Sequence, residues 1–106
     1  MAADVFAILA DPTRRRIVEG LHEGERSVGD LVAEVDIRQP GVSRHLRILK
    51  EAGFVSVRAE GRRRLYSLRP EPLAQLDDWM RTYAREQLLR LNRLSRLVDR
   101  QSKEGK

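Results

Sequence analysis

QPGVSRHLRILKEAG, residues 39–53, is the stretch around which this chain of 106 residues is organised. Val42, Leu46 and Leu49 recur at i, i+4 and i+7, which predicts a helix over 39–52 with one apolar stripe turned to a core. Ser43, Arg44, Arg47 and Lys50 fall away from that stripe. Guanidinium groups can pair bidentately with guanine O6 and N7 or with phosphate, and a hydroxyl can reach either, so this face suits nucleic acid. Taken alone, it reads equally well as an ordinary solvated basic face. Pro40 sits in the first turn, where a missing N–H costs nothing, and Gly53 supplies the left-handed conformation that stops a helix.

The segment just before it turns this helix into half of a motif. Ser27, with Asp30 three residues on, marks a helix start resembling a capping box, and Val28, Leu31, Val32 and Val35 form the apolar face that follows. Residues 36–38 are a short turn. Two helices joined so tightly, the second with a basic outer face, make a helix-turn-helix whose first helix braces and whose second reads the major groove. Further back, Asp11 followed by Pro12 is an N-cap and N1 pair that starts another helix, with Ile17, Val18 and Leu21 buried and Gly24 ending it. Arg14, Arg15 and Arg16 fan around that helix and are expected to give one structural ion pair and two solvated side chains. Val5, Phe6, Ile8 and Leu9 form a short first helix facing both the core and a partner subunit.

After Gly53 the period changes from 3.6 to 2. Val55, Val57 and Ala59 alternate with Ser56 and Arg58, Glu60-Gly61 is expected as the turn, and Leu65 to Leu68 return, so the unit is a β-hairpin. Its tip carries Arg62, Arg63 and Arg64. A hairpin behind a recognition helix is a wing, here a basic one over 58–66, suited to phosphates or the adjacent minor groove. Tyr66 is expected to pack under the wing and not to stack on a base.

From Pro72 to Val98 the helical pattern is continuous, with Leu73, Leu76, Met80, Tyr83, Leu88, Leu91, Leu94 and Val98 on its stripe. So small a body cannot cover that stripe, so Phe6, Leu76, Met80, Tyr83, Leu88, Leu91 and Leu94 are assigned to a homodimer interface. Trp79 and Tyr83 read as core, with an effector pocket between the long helices as the competing reading. The fold class is mainly α with a small β-hairpin: one winged helix-turn-helix domain over 1–100, its DNA-binding core at 11–69, a dimerisation helix at 72–98 and a disordered tail at 101–106.

Charge agrees with that layout. Residues 38–69 hold nine Lys or Arg against two Glu, a balance of +7 in a chain of net charge +5, which leaves the remainder at −2. A basic middle with slightly acidic flanks is the footprint of a face for a polyanion, double-stranded DNA above all. A membrane is disfavoured, because these cations are not interleaved with large exposed apolar groups and the longest apolar run, 5–10, is too short to span a bilayer. No basic segment stands ahead of that run as one would in a signal peptide, and a cytoplasmic location is expected. There is no cysteine, which removes disulfides and thiolate ligation. An enzyme is disfavoured too, for want of a nucleophile and base pair, a phosphate loop or a metal cluster.

Four segments, DPTRRRIVEGL (11–21), SVGDLV (27–32), QPGVSRHLRILKEAGFV (39–55) and EGRRRLYSL (60–68), occur in the order and approximate spacing of the winged-helix repressors of the ArsR type. The chain resembles in particular the branch of that family without metal sites. The resemblance implies a dimeric transcriptional repressor that sets one recognition helix per subunit in successive major grooves of a palindromic operator. By matching position it implies that Gln39, Ser43, Arg44 and His45 read DNA and that Arg62 and Arg63 act from the wing; Arg47 and Lys50 join them from the basic face. Metal-sensing members carry cysteines around the positions of Val28 to Leu31, or Asp and His pairs on the last helix. Here both places lack ligands, and His22 and His45 are the only histidines, so no metal and no cofactor is expected. Arg38 stands where relatives often have a Ser or Thr cap, a departure that either weakens the helix start by about 1 kcal/mol or trades capping for a phosphate contact. Two other readings remain open, an effector-gated repressor with a small ligand between the long helices and a winged helix used only to dock protein. The second predicts no operator and no strong salt dependence.

Overall fold

Helix starts follow the capping residues closely. In the computed structural model, which describes residues 4–104, Asp11 Oδ1 accepts hydrogen bonds from the backbone N–H groups of Thr13 (2.8 Å) and Arg14 (3.2 Å), and α2 runs Pro12–His22 behind it. The one-turn helix α1, Val5–Leu9, precedes it, capped by Asp4. Ser27 and Asp30 form a complete capping box at the start of α3, Val28–Val35, each side chain accepting from the other's backbone N–H. Asp36 ends α3 in the left-handed conformation (φ 54°, ψ 43°), and after two intervening residues α4 begins, Gln39–Glu51. Arg38 occupies its N-cap position without a side-chain hydrogen bond. Gly53 (φ 80°) lets the chain turn out of α4, with its N–H on the Lys50 carbonyl and that of Phe54 on the Leu49 carbonyl.

The hairpin comprises β2, Val55–Glu60, and β3, Arg63–Leu68, in register from Val55 opposite Leu68 to Glu60 opposite Arg63. The turn is therefore Gly61-Arg62, one residue later than Glu60-Gly61, because Gly61 (φ 61°) takes the left-handed position and Glu60 still pairs across the ladder. A two-residue strand that the sequence pattern does not announce, β1 at Arg26–Ser27, pairs antiparallel with β3 and makes the sheet three-stranded in the order β1-β3-β2.

Ile17 and Leu21 of α2, Leu31 and Val35 of α3, Val42, Leu46 and Leu49 of α4, and Phe54, Val55 and Leu65 around the hairpin form the core, with Val5 and Ile8 of α1 at its edge. Six of these are essentially sealed from solvent, the three stripe residues of α4 among them. That burial leaves α4 no freedom to roll, so its polar face has a fixed direction. Arg14 does not make the expected ion pair. Its Nε donates to the Ile8 carbonyl (2.7 Å) and its Nη2 to that of Ala7 (3.3 Å), because a one-turn helix leaves its carbonyls without partners. Arg15 and Arg16 are exposed, as expected.

The last helix, α5, spans Pro70–Glu104. It starts two residues before the expected Pro72, since both prolines fall in the first turn where no N–H is needed, and Pro72 is buried there. It also runs through 101–104, assigned above to the tail; no Gly or Pro interrupts it there, and 105–106 lie outside the described residues. The chain divides into two units, one ending at Gln75 and one beginning at Leu76. In the second unit Met80, Tyr83, Leu88, Leu91 and Leu94 are 47–60% exposed, and Trp79 and Tyr83 are surface residues, not core, with ring centroids 4.7 Å apart and tilted at 44°. A single copy of α5 supplies nothing to bury them.

Candidate nucleic-acid interface

With Val42, Leu46 and Leu49 locked inward, α4 turns Gln39, Ser43, Arg44, Arg47 and Lys50 to solvent. His45 is different. It is half-buried, and its Nδ1 is enclosed without a hydrogen-bond partner among the described residues. Its ring is near enough to Asp11 to influence that carboxyl. Burial alone would raise the Asp11 pKa, but the N–H groups of Arg14 and Thr13, with the charges of His45 and Arg14, hold it below the usual aspartate value. The geometry thus brings five of the six α4 residues onto one face and sets His45 toward the body.

The wing's arginines divide into two sets. Arg58 grips Glu25 on the turn after α2 and also reaches Glu60 at 3.2 Å. Hydrogen bonding to Arg58 keeps the Glu25 carboxyl below its ordinary pKa, and the same contact raises that of Arg58. Arg63 lies 3.3 Å from Asp30 Oδ2, on the carboxylate that closes the capping box. Arg69 pairs with Glu71 at 3.6 Å. By contrast Arg44, Arg47, Lys50, Arg62 and Arg64 have no ion pair among the described residues. Of the nine cations in the middle segment, Arg58, Arg63 and Arg69 are thus paired with carboxylates, whereas these five and Arg38 are left for an external anion.

Between α4 and β3 lies an open groove of about 390 Å³, lined by Ser43, Arg47 and Lys50 on one side and by Arg64 and Tyr66 on the other. The sequence puts Arg64 in the basic wing but singles out Arg62 and Arg63 there, and it expects Tyr66 to pack under the wing; the structure sets Arg64 and Tyr66 together along this groove. The signal that finds them is strand alternation, which puts the two on one face of β3 and Arg63 with Leu65 on the other. Among the described residues no cluster of three His, Cys, Asp or Glu side chains forms a metal site, and no helix is long and apolar enough to cross a membrane.

This sealed helix, its solvent-facing cations and the paired wing now stand beside known proteins. The sequence profile of the bacterial regulatory proteins of the arsR family matches residues 11–57, from the cap of α2 into β2. The transcriptional repressor SdpR of Bacillus subtilis is 38% identical over 77 residues, 73% of this chain and 86% of that one. The chain belongs to the arsR family. A second relative, the HTH-type transcriptional regulator Rv2034 of Mycobacterium tuberculosis, is 48% identical over 68 residues, a match spanning 64% of each chain. The crystal structure of the transcriptional repressor BigR from Xylella fastidiosa superposes with a TM-score of 0.63 at 35% identity, covering 74% of this chain and 81% of that one. The arsR-family fold, mainly helical with a small antiparallel wing, is that of DNA-binding transcriptional regulators, and this chain is of that class.

Proposed function

We propose that the chain is a homodimeric transcriptional repressor, a binding protein and not an enzyme, acting on DNA in the cytoplasm. It binds a two-fold symmetric operator, with α4 of each subunit in a major groove and the wing beside it. One observation carries this reading: Arg44, Arg47, Lys50, Arg62 and Arg64, gathered on the outer face of α4 and on the wing, are exposed and have no ion pair among the described residues. Gln39, Ser43 and Arg44 are suited to read bases, whereas Arg47, Lys50 and Arg62 are suited to phosphates. His45 acts from its half-buried place, orienting the helix and not reaching a base.

Dimerisation is supported by the exposed stripe of α5, Met80, Tyr83, Leu88, Leu91 and Leu94, and by the exposed Phe6 on α1, with the half-buried Leu76 continuing the stripe. Regulation is independent of metal, a reading supported by the absence of cysteine from the sequence. Selection of bound sequences from random DNA tests the whole proposal. The expected product is an inverted repeat with half-site centres about 34 Å, one helical turn, apart. An enriched site without two-fold symmetry, or no enrichment, overturns it.

A further inference from the structure

Arg63 and Arg64 are neighbours of identical chemistry, yet β3 sends them to opposite faces. Arg63 goes with Leu65 and meets Asp30. Arg64 goes with Tyr66 and meets the groove wall formed by Ser43, Arg47 and Lys50. On α4 these three are neighbours at i, i+4 and i+7, so one helix face supplies a hydroxyl and two cations in a row. Three cations converge on this groove, no carboxylate lines it, and none of the three has an ion pair among the described residues. Like charges set around one concavity repel until an anion lies between them. The hydroxyls of Ser43 and Tyr66 add neutral hydrogen-bond donors to the same space.

We propose that this groove seats a backbone phosphodiester of duplex DNA, and that Arg64, with Arg47 and Lys50, is its principal ligand on the wing side. The proposal rests on the DNA-binding reading above and specifies where the backbone is held. The occupant is a nucleic-acid phosphate because the groove is continuous with the exposed face of α4: a duplex that takes this helix into its major groove carries its backbone along the helix flank, where Arg47 and Lys50 stand. Guanidinium groups can hold the two non-bridging oxygens of a diester bidentately. Arg63 is a weaker ligand because each approach of a phosphate to it is also an approach to the Asp30 carboxylate.

The test uses the full chain and a fluorescein-labelled 30-base-pair duplex of random sequence, followed by anisotropy across a chloride series, so that only backbone contacts are read. Arg64→Ala and Arg47→Ala are each expected to lower the log–log salt slope by about one and to weaken binding roughly tenfold near 0.1 M salt. Arg63→Ala is expected to lose less than Arg64→Ala. Asp30→Asn keeps an acceptor for the Ser27 N–H while removing the charge, and is expected to tighten binding by releasing Arg63. Arg64→Gln serves as a second variant, with circular dichroism to verify folding.

Unchanged affinity and slope in folded Arg64→Ala or Arg64→Gln overturns the proposal, as does a larger loss in Arg63→Ala. So does displacement of the duplex by inorganic phosphate beyond that by chloride at equal ionic strength, which would assign the groove to a free anion. Failure of the unmodified chain to bind the duplex at low salt would instead remove the DNA-binding reading itself, and is visible before any variant is made.

Discussion

Arg58 and Glu25 meet through two parallel hydrogen bonds, Nε to Oε2 at 2.7 Å and Nη2 to Oε1 at 2.8 Å, across 33 residues of chain. The pair ties β2 to the turn that follows α2, so it fixes the base of the wing against the helical body. Both side chains are well exposed, and exposed pairs contribute little to global stability. Glu25→Gln should therefore leave the melting temperature nearly unchanged while amide exchange across the β2–β3 ladder quickens and that of α2 and α4 does not. Identical exchange in the ladder of variant and parent would dispose of the tether.

The cap of α2 makes stability depend on acid. Asp11 accepts two backbone N–H bonds, and its folded pKa lies below the ordinary aspartate value of about 3.9. The unfolded chain therefore takes up the proton first as pH falls, so the contribution of the ionised cap is complete above the unfolded value and vanishes through the lower, folded one. Asp11→Ala is expected to cost about 0.5–2 kcal/mol at neutral pH. Urea titrations at neutral pH and near pH 3 should show the gap between parent and variant closing in acid; a gap that stays constant would refute the cap's ionic role.

Base reading and backbone holding should separate by residue. Arg44→Ala is expected to cost about 1–3 kcal/mol on the selected operator and much less on random duplex. Arg62→Ala, at the wing tip, should weaken both by the same factor and lower the salt slope by about one. Parallel titrations on the two duplexes decide it, and equal losses in Arg44→Ala on both would contradict the division.

Assembly is the remaining prediction. The stripe of α5 is exposed at Leu91 (60%) and Leu94 (59%), and at roughly 25 cal/mol per Å² its burial against a second copy is a substantial drive to pair. Leu91→Asp should give a monomer with little operator affinity, although no DNA-facing residue has changed, because the second half-site contact ceases to be intramolecular. Sedimentation and operator binding on one sample check this: a folded monomer with full operator affinity would exclude the dimer mechanism.

Local chemistry was legible where one residue acts on its own neighbours. Asp11-Pro12, Ser27 with Asp30, and Gly53 mark their helix ends in the sequence because each works within one turn of chain. The stripe of α4 was legible for the same reason, and the exposure of Gln39, Ser43, Arg44, Arg47 and Lys50 follows from it. What escaped depends on distant pairing. Arg26 and Ser27 form a strand only because Tyr66 and Leu65 lie opposite, and two residues show no alternation. Arg63 looks like a wing-tip cation until the register places it opposite Glu60 and beside Asp30. Arg14 looked like half of an ion pair because sequence displays charges, whereas its partners are the carbonyls of Ala7 and Ile8.

The two-residue turn at Gly61-Arg62 closes a six-rung ladder whose last residues, from Ala59 to Arg64, are all exposed. The length of that ladder is thus decoupled from the core. Two residues added to each strand, the smallest change that keeps the alternation of faces, advance the tip by about 6.8 Å, which is also the axial rise of two base pairs. Insertion beside this turn therefore extends the protein's footprint in steps matched to the polymer it grips, whereas a residue inserted at Asp36 would re-aim α4 altogether.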